Sequence, residues 1–247
     1  LRKSYDDGKT WTKIERIIDY PIGESASDPS MIVDRQTKDI FLFYNYMNLD
    51  KAKDIYRFMV VKSNDNGENW SSPKDITDQI TKKEWKNDFM FITSGRGTQS
   101  RDGTLLHCLV NLNKGTHVFG SNDHGKNWFL IDYPLKPGDE SKIIELSNGD
   151  WLVNSRVNSN KFRYSHISKD KGKSWLSFEN KDLSDPACNA SIINYNISSE
   201  KLLLFSNAFD SNERKNLSLS ISYDQGMSWK NNKTIYKRSY SKNIASA

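Results

Sequence analysis

The chain has 247 residues, of which 36% are hydrophobic and 27% are charged, and its formal net charge is +5. Its longest apolar runs, such as residues 40–43 and 202–205, are strand-sized and far shorter than the roughly 20 residues that span a bilayer. These residues therefore contain no predicted membrane-spanning helix. Lysine and arginine are spread along the chain without a block of like charge, which favours a solvated basic surface over a nucleic-acid-binding strip.

In chain order, short strand-like runs are separated by turn signals. Each repeat contains about four such runs. In the run at residues 216–221, apolar residues recur at every second position. The strands are predicted at residues 30–33, 40–44, 56–62, 104–110, 116–120, 142–146, 151–155, 162–167, 190–195, 201–206 and 216–221. Residues 75–85 alone have helical spacing, which two threonines weaken. We therefore predict an all-β fold.

Five copies of Ser-x-Asp-x-Gly-x-x-Trp, called Asp boxes here, recur along the chain. Asp and Gly in a short connection are typical of a hairpin turn, because the Asp side chain bonds nearby N–H groups and Gly adopts positive φ without strain. The Trp supplies an apolar plate that can cover the turn. Five copies at blade-sized spacing predict a β-propeller with about four strands per blade. The boxes begin at Ser4, Ser63, Ser121, Ser168 and Ser222.

The two cysteines, Cys108 and Cys188, are too few for a disulfide framework and lack the spacing of a metal site. We expect two buried free thiols, and a single disulfide is the alternative.

Asp boxes also occur in sortilin-like receptors and some plant glycanases, so the repeat predicts architecture rather than function. Four further segments, which together cover nearly the whole chain, resemble the sialidase (neuraminidase) family. They are Ser27-Asp28-Pro29 with residues 33–42, Gly95-Arg96-Gly97 with residues 101–105, residues 140–146 with Asn154-Ser155-Arg156, and Phe205-Ser206-Asn207 with Arg214. The resemblance implies a six-bladed β-propeller. Residues 1–247 would form one such domain, with its first and last blades incomplete.

The resemblance also implies how a sialic acid is bound. Arg156 and Arg214 match the second and third of three family arginines that bind the sugar carboxylate, for which guanidinium forks offer bidentate geometry. Asp28 matches a polar contact to the sugar, although an Asp before proline is also a common turn residue.

The family uses a tyrosine nucleophile, and Tyr240 matches it, 26 residues after Arg214. Lys242 stands where family members usually have Asp two residues on. A tyrosine needs a base to take its proton, and the resemblance assigns that base to Glu140. Glu145 is the alternative, but it lies five residues further along a strand-like run and faces the other side of the sheet.

Two family elements have no match in this sequence, namely the first arginine, in an Arg-Ile-Pro segment, and an aspartate general acid. In the family both precede the first Asp box. We therefore expect the chain to be a segment of a longer sialidase, and a natural inactive truncation is the alternative.

The leading hypothesis is an exo-α-sialidase that acts on sialylated glycoconjugates with retention, through a tyrosyl-enzyme intermediate and without a metal or organic cofactor. The alternative is a propeller that binds sialic acid or a protein without turnover. Nucleic-acid binding rests on the basic charge alone and is not favoured. Family habit suggests a secreted, periplasmic or cell-surface protein. The sequence carries no signal for an oligomeric state.

Overall fold

The computed structural model describes residues 1–197 and 200–237 and contains four mainly antiparallel sheets that follow one another along the chain. A short helix α1 (Thr77–Ile80) and a 3-10 turn (Lys83–Trp85) lie between the first and second sheets. The strands are β1 (Glu24–Val33), β2 (Ile40–Asn48), β3 (Arg57–Ser63), β4 (Lys74–Asp75), β5 (Met90–Ile92), β6 (Gly95–Arg96), β7 (Thr98–Gln99), β8 (Leu105–Asn111), β9 (Gly115–Ser121), β10 (Phe129–Leu130), β11 (Ser141–Glu145), β12 (Trp151–Ser155), β13 (Phe162–Ser168), β14 (Leu176–Ser184), β15 (Ser191–Ile197), β16 (Glu200–Ala208), β17 (Leu217–Ser222) and β18 (Lys230–Tyr236).

Each sheet is one propeller blade. Blade 1 has the strand order β4-β3-β2-β1, with β6 added in parallel to β1. Blade 2 has the order β10-β9-β8-β5, with β7 also paired to β8. Blades 3 and 4 are the meanders β11-β12-β13-β14 and β15-β16-β17-β18. The all-β prediction is confirmed, and the described residues show four blades.

All eleven predicted strands coincide with strands of the structure. The weak helical spacing at residues 75–85 corresponds to α1 and the 3-10 turn. The sequence reasoning missed β4, β5, β6, β7 and β10, which are only two or three residues long and too short to show a periodic pattern. It also missed β14 and β18, most of whose residues are polar. No strand occurs in residues 1–23, which contain the first Asp box. No helix in the described ranges is long and apolar enough to cross a membrane.

The hydrophobic core lies between successive blades. Phe43 of blade 1 meets Trp128 of blade 2 edge-on, with ring centroids 5.0 Å apart. Further buried clusters join blade 2 to blade 3 and blade 3 to blade 4. Because β8 and β9 are covered by a blade on each side, every residue of both strands is buried.

The four later Asp boxes each form the turn from the third to the fourth strand of a blade. In all five boxes the Ser Oγ accepts the Gly N–H at 2.7–2.8 Å, and Asp Oδ1 accepts the N–H four residues further on at 2.8–2.9 Å. The residue between Asp and Gly has φ of 57–63°, and the Gly has φ of 76–88°. Two successive residues with positive φ match the right-handed twist of the strands they join.

The residue between Asp and Gly also ties three boxes to the preceding blade. Nδ1 of His124 lies 2.6 Å from Oδ2 of the buried Asp34. Burial raises the pKa of Asp34, but hydrogen bonds from His124, Gln36 and Gln99 outweigh it and lower the value to about 2. The other two ties are Lys171 to Asp102 and Gln225 to the backbone of Ser147.

Both cysteines are free, which confirms that part of the prediction. Cys108 is fully buried, and its burial raises the pKa of its thiol to about 12. Cys188 is only partly buried.

Candidate active site

A cleft of about 340 Å³ opens at the end of the propeller where the first strands of blades 1 and 3 begin. The Asp-box turns of the blades lie at the opposite end, because three antiparallel strands separate the start of a blade from its box. The cleft is lined by Asp28, Tyr56, Phe89, Phe91, Leu112, Asp139, Glu140, Arg156 and Asn158. Three of the five residues predicted from the sequence, Asp28, Glu140 and Arg156, are therefore brought together.

Asp28 sits in a bulge of β1, where the pairing with β2 shifts register between Ser27 and Ser30. Its φ is 53°, a left-handed conformation that is uncommon for a residue with a side chain. Such backbone strain persists where the surrounding structure holds it, and it concentrates at functional sites. The bulge turns the carboxylate toward the cleft, where Oδ2 accepts from Ser27 Oγ at 3.0 Å.

Asn45 fixes the position of the Asp28 carboxylate through a hydrogen bond. It is fully buried in β2, and its Nδ2 donates to Oδ2 of Asp28 at 3.1 Å. The same amide is bonded to the backbone of Ile92 on β5, with Nδ2 to O at 3.1 Å and N to Oδ1 at 2.8 Å. Sequence reasoning missed Asn45, although one amide inside an apolar strand is a detectable signal.

Arg156 and Glu140 are neighbours because of the register of blade 3. Ser141, the first residue of β11, pairs with Ser155, the last residue of β12, and the two site residues stand one step outside this pair. Their backbones are also bonded, with Arg156 N donating to Glu140 O at 3.0 Å. The Nη1 of Arg156 lies 2.5 Å from Oε2 of Glu140.

Two further side chains fix the Arg156 guanidinium. Its Nε donates to Oδ1 of Asn158 at 2.8 Å and lies 3.8 Å from Oδ2 of Asp139. Asn158 in turn donates to Oδ2 of Asp139 at 2.5 Å. The guanidinium is thus held between two carboxylates and an amide. Sequence reasoning missed Asp139 and Asn158, although each lies within two residues of a predicted site residue.

Aromatic rings form the other wall of the cleft. Tyr56 and Phe89 lie with centroids 5.6 Å apart, and Phe89 and Phe91 lie 6.1 Å apart. The Tyr56 hydroxyl reaches Ser27 Oγ at 3.5 Å, next to Asp28. The cleft therefore combines an acidic corner, an arginine and an apolar face, which together can hold a polar sugar in one orientation.

Arg214 lies at the same end of the propeller but does not line this cleft. It stands in the β16–β17 loop of blade 4, the position that corresponds to that of Arg156 after the second strand of blade 3. It is exposed, and its Nη2 donates to the carbonyl of Ala187 at 3.1 Å. Tyr240 lies outside the residues that the structure describes.

Glu145 is separated from the cleft by the length of β11. Its carboxylate accepts from the backbone N–H of Arg101 at 2.7 Å and from the Arg101 Nε at 3.2 Å. This contact lies beside the turn between β7 and β8, at the far end of the blades.

A fully buried arginine, Arg163 on β13, supports the loop next to Arg214. Its Nη1 donates to Oδ2 of Asp185 at 2.9 Å and to the carbonyl of Cys188 at 2.8 Å. Burial lowers the pKa of Arg163, although Asp185 opposes this. These bonds hold residues 185–188, whose Ala187 carbonyl receives Arg214. No group of three or more His, Cys, Asp or Glu side chains in the described ranges is placed to hold a metal ion.

Comparisons with known proteins agree with this architecture. The BNR repeat-like domain family matches residues 1–246. The chain is 30% identical to a sialidase of Bacteroides fragilis (strain YCH46), over 93% of this chain and 47% of the relative. It is 32% identical to a sialidase of Micromonospora viridifaciens, over 92% of this chain and 40% of the relative. The chain thus spans less than half the length of these two relatives.

Solved structures show the same fold. The Hadza microbial sialidase Hz136 superposes with a TM-score of 0.87 at 25% identity, over 96% of this chain and 52% of that one. The intramolecular trans-sialidase of Ruminococcus gnavus superposes with a TM-score of 0.79 at 17% identity, over 96% and 78% of the two chains. At 17% identity, the similarity to the Ruminococcus gnavus enzyme shows a shared fold only.

Proposed function

The chain belongs to the BNR-repeat family of sialidases, and on that premise we propose that the protein carrying it is an exo-α-sialidase. It hydrolyses terminal sialic acid from glycoconjugates with retention of the anomeric configuration. The observation that carries the proposal is the Arg156–Glu140 pair, which faces Asp28 and an aromatic wall across one cleft.

The sialic acid carboxylate binds to arginines, of which this chain supplies Arg156 and Arg214. Arg156 supports this role because Glu140, Asp139 and Asn158 already fix its orientation. A fixed guanidinium loses little conformational freedom when it binds a carboxylate, so more of the interaction appears as affinity. The Asp28 carboxylate accepts hydrogen bonds from sugar hydroxyls, and the aromatic wall packs against the apolar side of the ring.

Retention follows from two displacements at the anomeric carbon. Glu140 takes the proton of the Tyr240 hydroxyl, and the phenolate oxygen forms a bond to the anomeric carbon as the glycosidic bond breaks. A water then attacks the same carbon and gives its proton to the carboxylate that protonated the leaving group, while Tyr240 departs and takes its own proton back from Glu140. A neutral tyrosine suits this site, because a carboxylate nucleophile would be repelled by the carboxylate on the anomeric carbon.

The departing oxygen needs a proton in the first displacement, and sialidases supply it from an aspartate. We propose that this aspartate and a third arginine come from a part of a longer protein outside this sequence, where two more blades complete a six-bladed ring. The share of the curated relatives that the chain spans, 47% and 40%, supports this proposal.

The test is hydrolysis of a fluorogenic α-sialoside by the natural protein that carries this chain, with Tyr240→Phe beside the wild type. We expect turnover by the wild type, the α-anomer as the first product in proton NMR, and loss of turnover in the variant. Normal turnover by Tyr240→Phe would remove Tyr240 as nucleophile. Sialoside binding without turnover by the folded wild type would instead indicate a binding propeller.

A further inference from the structure

A second, larger groove of about 640 Å³ lies next to the candidate active site. One side is the β2–β3 turn with Lys51 and Ile55, and the other is the segment from α1 to Lys86. Tyr56 lines both the groove and the active-site cleft, so the two are adjacent and share one wall. The groove is therefore within reach of a substituent that extends from the cleft past Tyr56.

The groove is strongly basic. Five cationic side chains line it, whereas Asp78 is the one carboxylate among its described lining residues; the cations are Lys51, Arg57, Lys82, Lys83 and Lys86. Two of the cations are neutralised, since Arg57 pairs with Asp75 and Lys82 pairs with Asp132.

The other three, Lys51, Lys83 and Lys86, are exposed and form no ion pair within the described residues. Some lysines elsewhere on the described surface, such as Lys62 and Lys171, are paired with carboxylates, whereas others, such as Lys173 and Lys181, form no ion pair either. Among the described lining residues, three unpaired lysines therefore stand against one carboxylate, Asp78.

The floor of the groove is apolar. Met90 is almost fully buried there, Tyr46 is half-buried, and Ile55 is 39% exposed. A floor of aromatic and aliphatic side chains suits the C–H face of a pyranose, while lysines at the rim suit an acidic substituent. Nucleic acid would need a longer basic track than this single groove.

We propose that this groove binds an acidic group, a carboxylate or a sulfate, on the sugar chain that carries the terminal sialic acid. The inference rests on the proposed function, because the groove would bind the sugar chain on the leaving-group side of the scissile glycosidic bond. Lys83 and Lys86 bind the acidic group, and Tyr46 and Met90 contact the sugar. The protein thereby prefers glycans that carry a second negative charge close to the terminal residue.

The test compares three substrates with the natural protein that carries this chain: sialyllactose, α2,8-disialyllactose and a sialyllactose sulfated on its galactose. The variant is Lys83→Glu/Lys86→Glu. The matched control is Lys173→Glu/Lys181→Glu, which makes the same charge change at exposed lysines of blade 3. We expect the groove variant to lower kcat/KM for at least one acidic substrate by about tenfold through KM, with the sialyllactose value within about twofold.

The two acidic substrates show which acidic group the groove binds. A decrease in kcat/KM for only the sulfated or only the disialylated substrate identifies the sulfate or the second carboxylate as the ligand. Equal losses on all three substrates, or no loss beyond that of the control variant, would overturn the inference. If the protein turns over none of them, calorimetric titration with the same glycans decides. Tighter binding of an acidic glycan that the groove variant abolishes supports the groove without hydrolysis, and equal affinities for all three overturn it.

Discussion

Arg156 and Glu140 flank the last residue pair of the β11–β12 ladder, and their side chains meet with Nη1 of Arg156 2.5 Å from Oε2 of Glu140. In the proposed mechanism, the cation that receives the substrate carboxylate and the base that activates the nucleophile are thus placed by one strand register. A one-residue slip of either strand would turn the site residue next to that strand to the other face and separate the pair.

Glu140→Gln should lower kcat by about 10²–10⁴-fold, because the amide cannot take the proton of the nucleophile. Glu145→Gln is the matched control, since this carboxylate lies at the other end of β11 against Arg101. Steady-state kinetics on a fluorogenic sialoside, with melting curves for both variants, measure the effect. Equal rates for Glu140→Gln and the wild type would show that another group is the base.

Arg156→Lys should raise KM by about tenfold or more at little change in melting temperature. An ammonium is a point charge and cannot bond Glu140 and Asn158 while presenting a fork to a carboxylate. Arg101→Lys, which alters a similar pair with Glu145, serves as the control and should leave KM within about twofold. An unchanged KM in Arg156→Lys would exclude a carboxylate contact at this position.

Asn45→Ala should destabilise the protein by about 1–3 kcal/mol, since it leaves the Ile92 backbone groups buried without partners. It should also raise KM, because Asn45 is the positioning residue for Asp28. A double-mutant cycle with Asp28→Ala separates the two effects. The KM increases should fail to add, whereas fully additive increases would show that Asn45 acts on stability alone.

Asp34 should make the protein sensitive to acid. Its pKa is about 2 in the folded protein against an ordinary value near 4, so its stabilisation is fully present above about pH 4. That stabilisation is lost as the pH falls through 2, and it amounts to about 2 kcal/mol.

Urea unfolding of the wild type and Asp34→Asn between pH 2 and 7 tests this prediction. The variant should be less stable at pH 7, and the difference from the wild type should shrink toward pH 2. A constant difference across that range would mean that the carboxylate charge of Asp34 does not contribute.

The site divides into residues that local patterns identify and residues that they do not. Glu140 and Arg156 were assigned through motifs that resemble the sialidase family, and these motifs lie beside strands whose bounds the sequence predicted closely. Asn45 contacts Asp28, 17 residues away, and Ile92, 47 residues away. No local pattern reports such contacts, because they depend on how blade 1 packs against blade 2.

The sequence by itself determined the blades. Each Asp box closes through hydrogen bonds between residues at most four apart, so the motif specifies its turn wherever it occurs. Four of the five copies join the third and fourth strands of a blade. Tertiary structure alone decided the cleft. Asp28, Tyr56 and Phe89 come together with the Arg156–Glu140 pair because the burial of apolar faces between blades places three sheets side by side. Neither the active-site cleft nor the basic groove is formed by a single repeat.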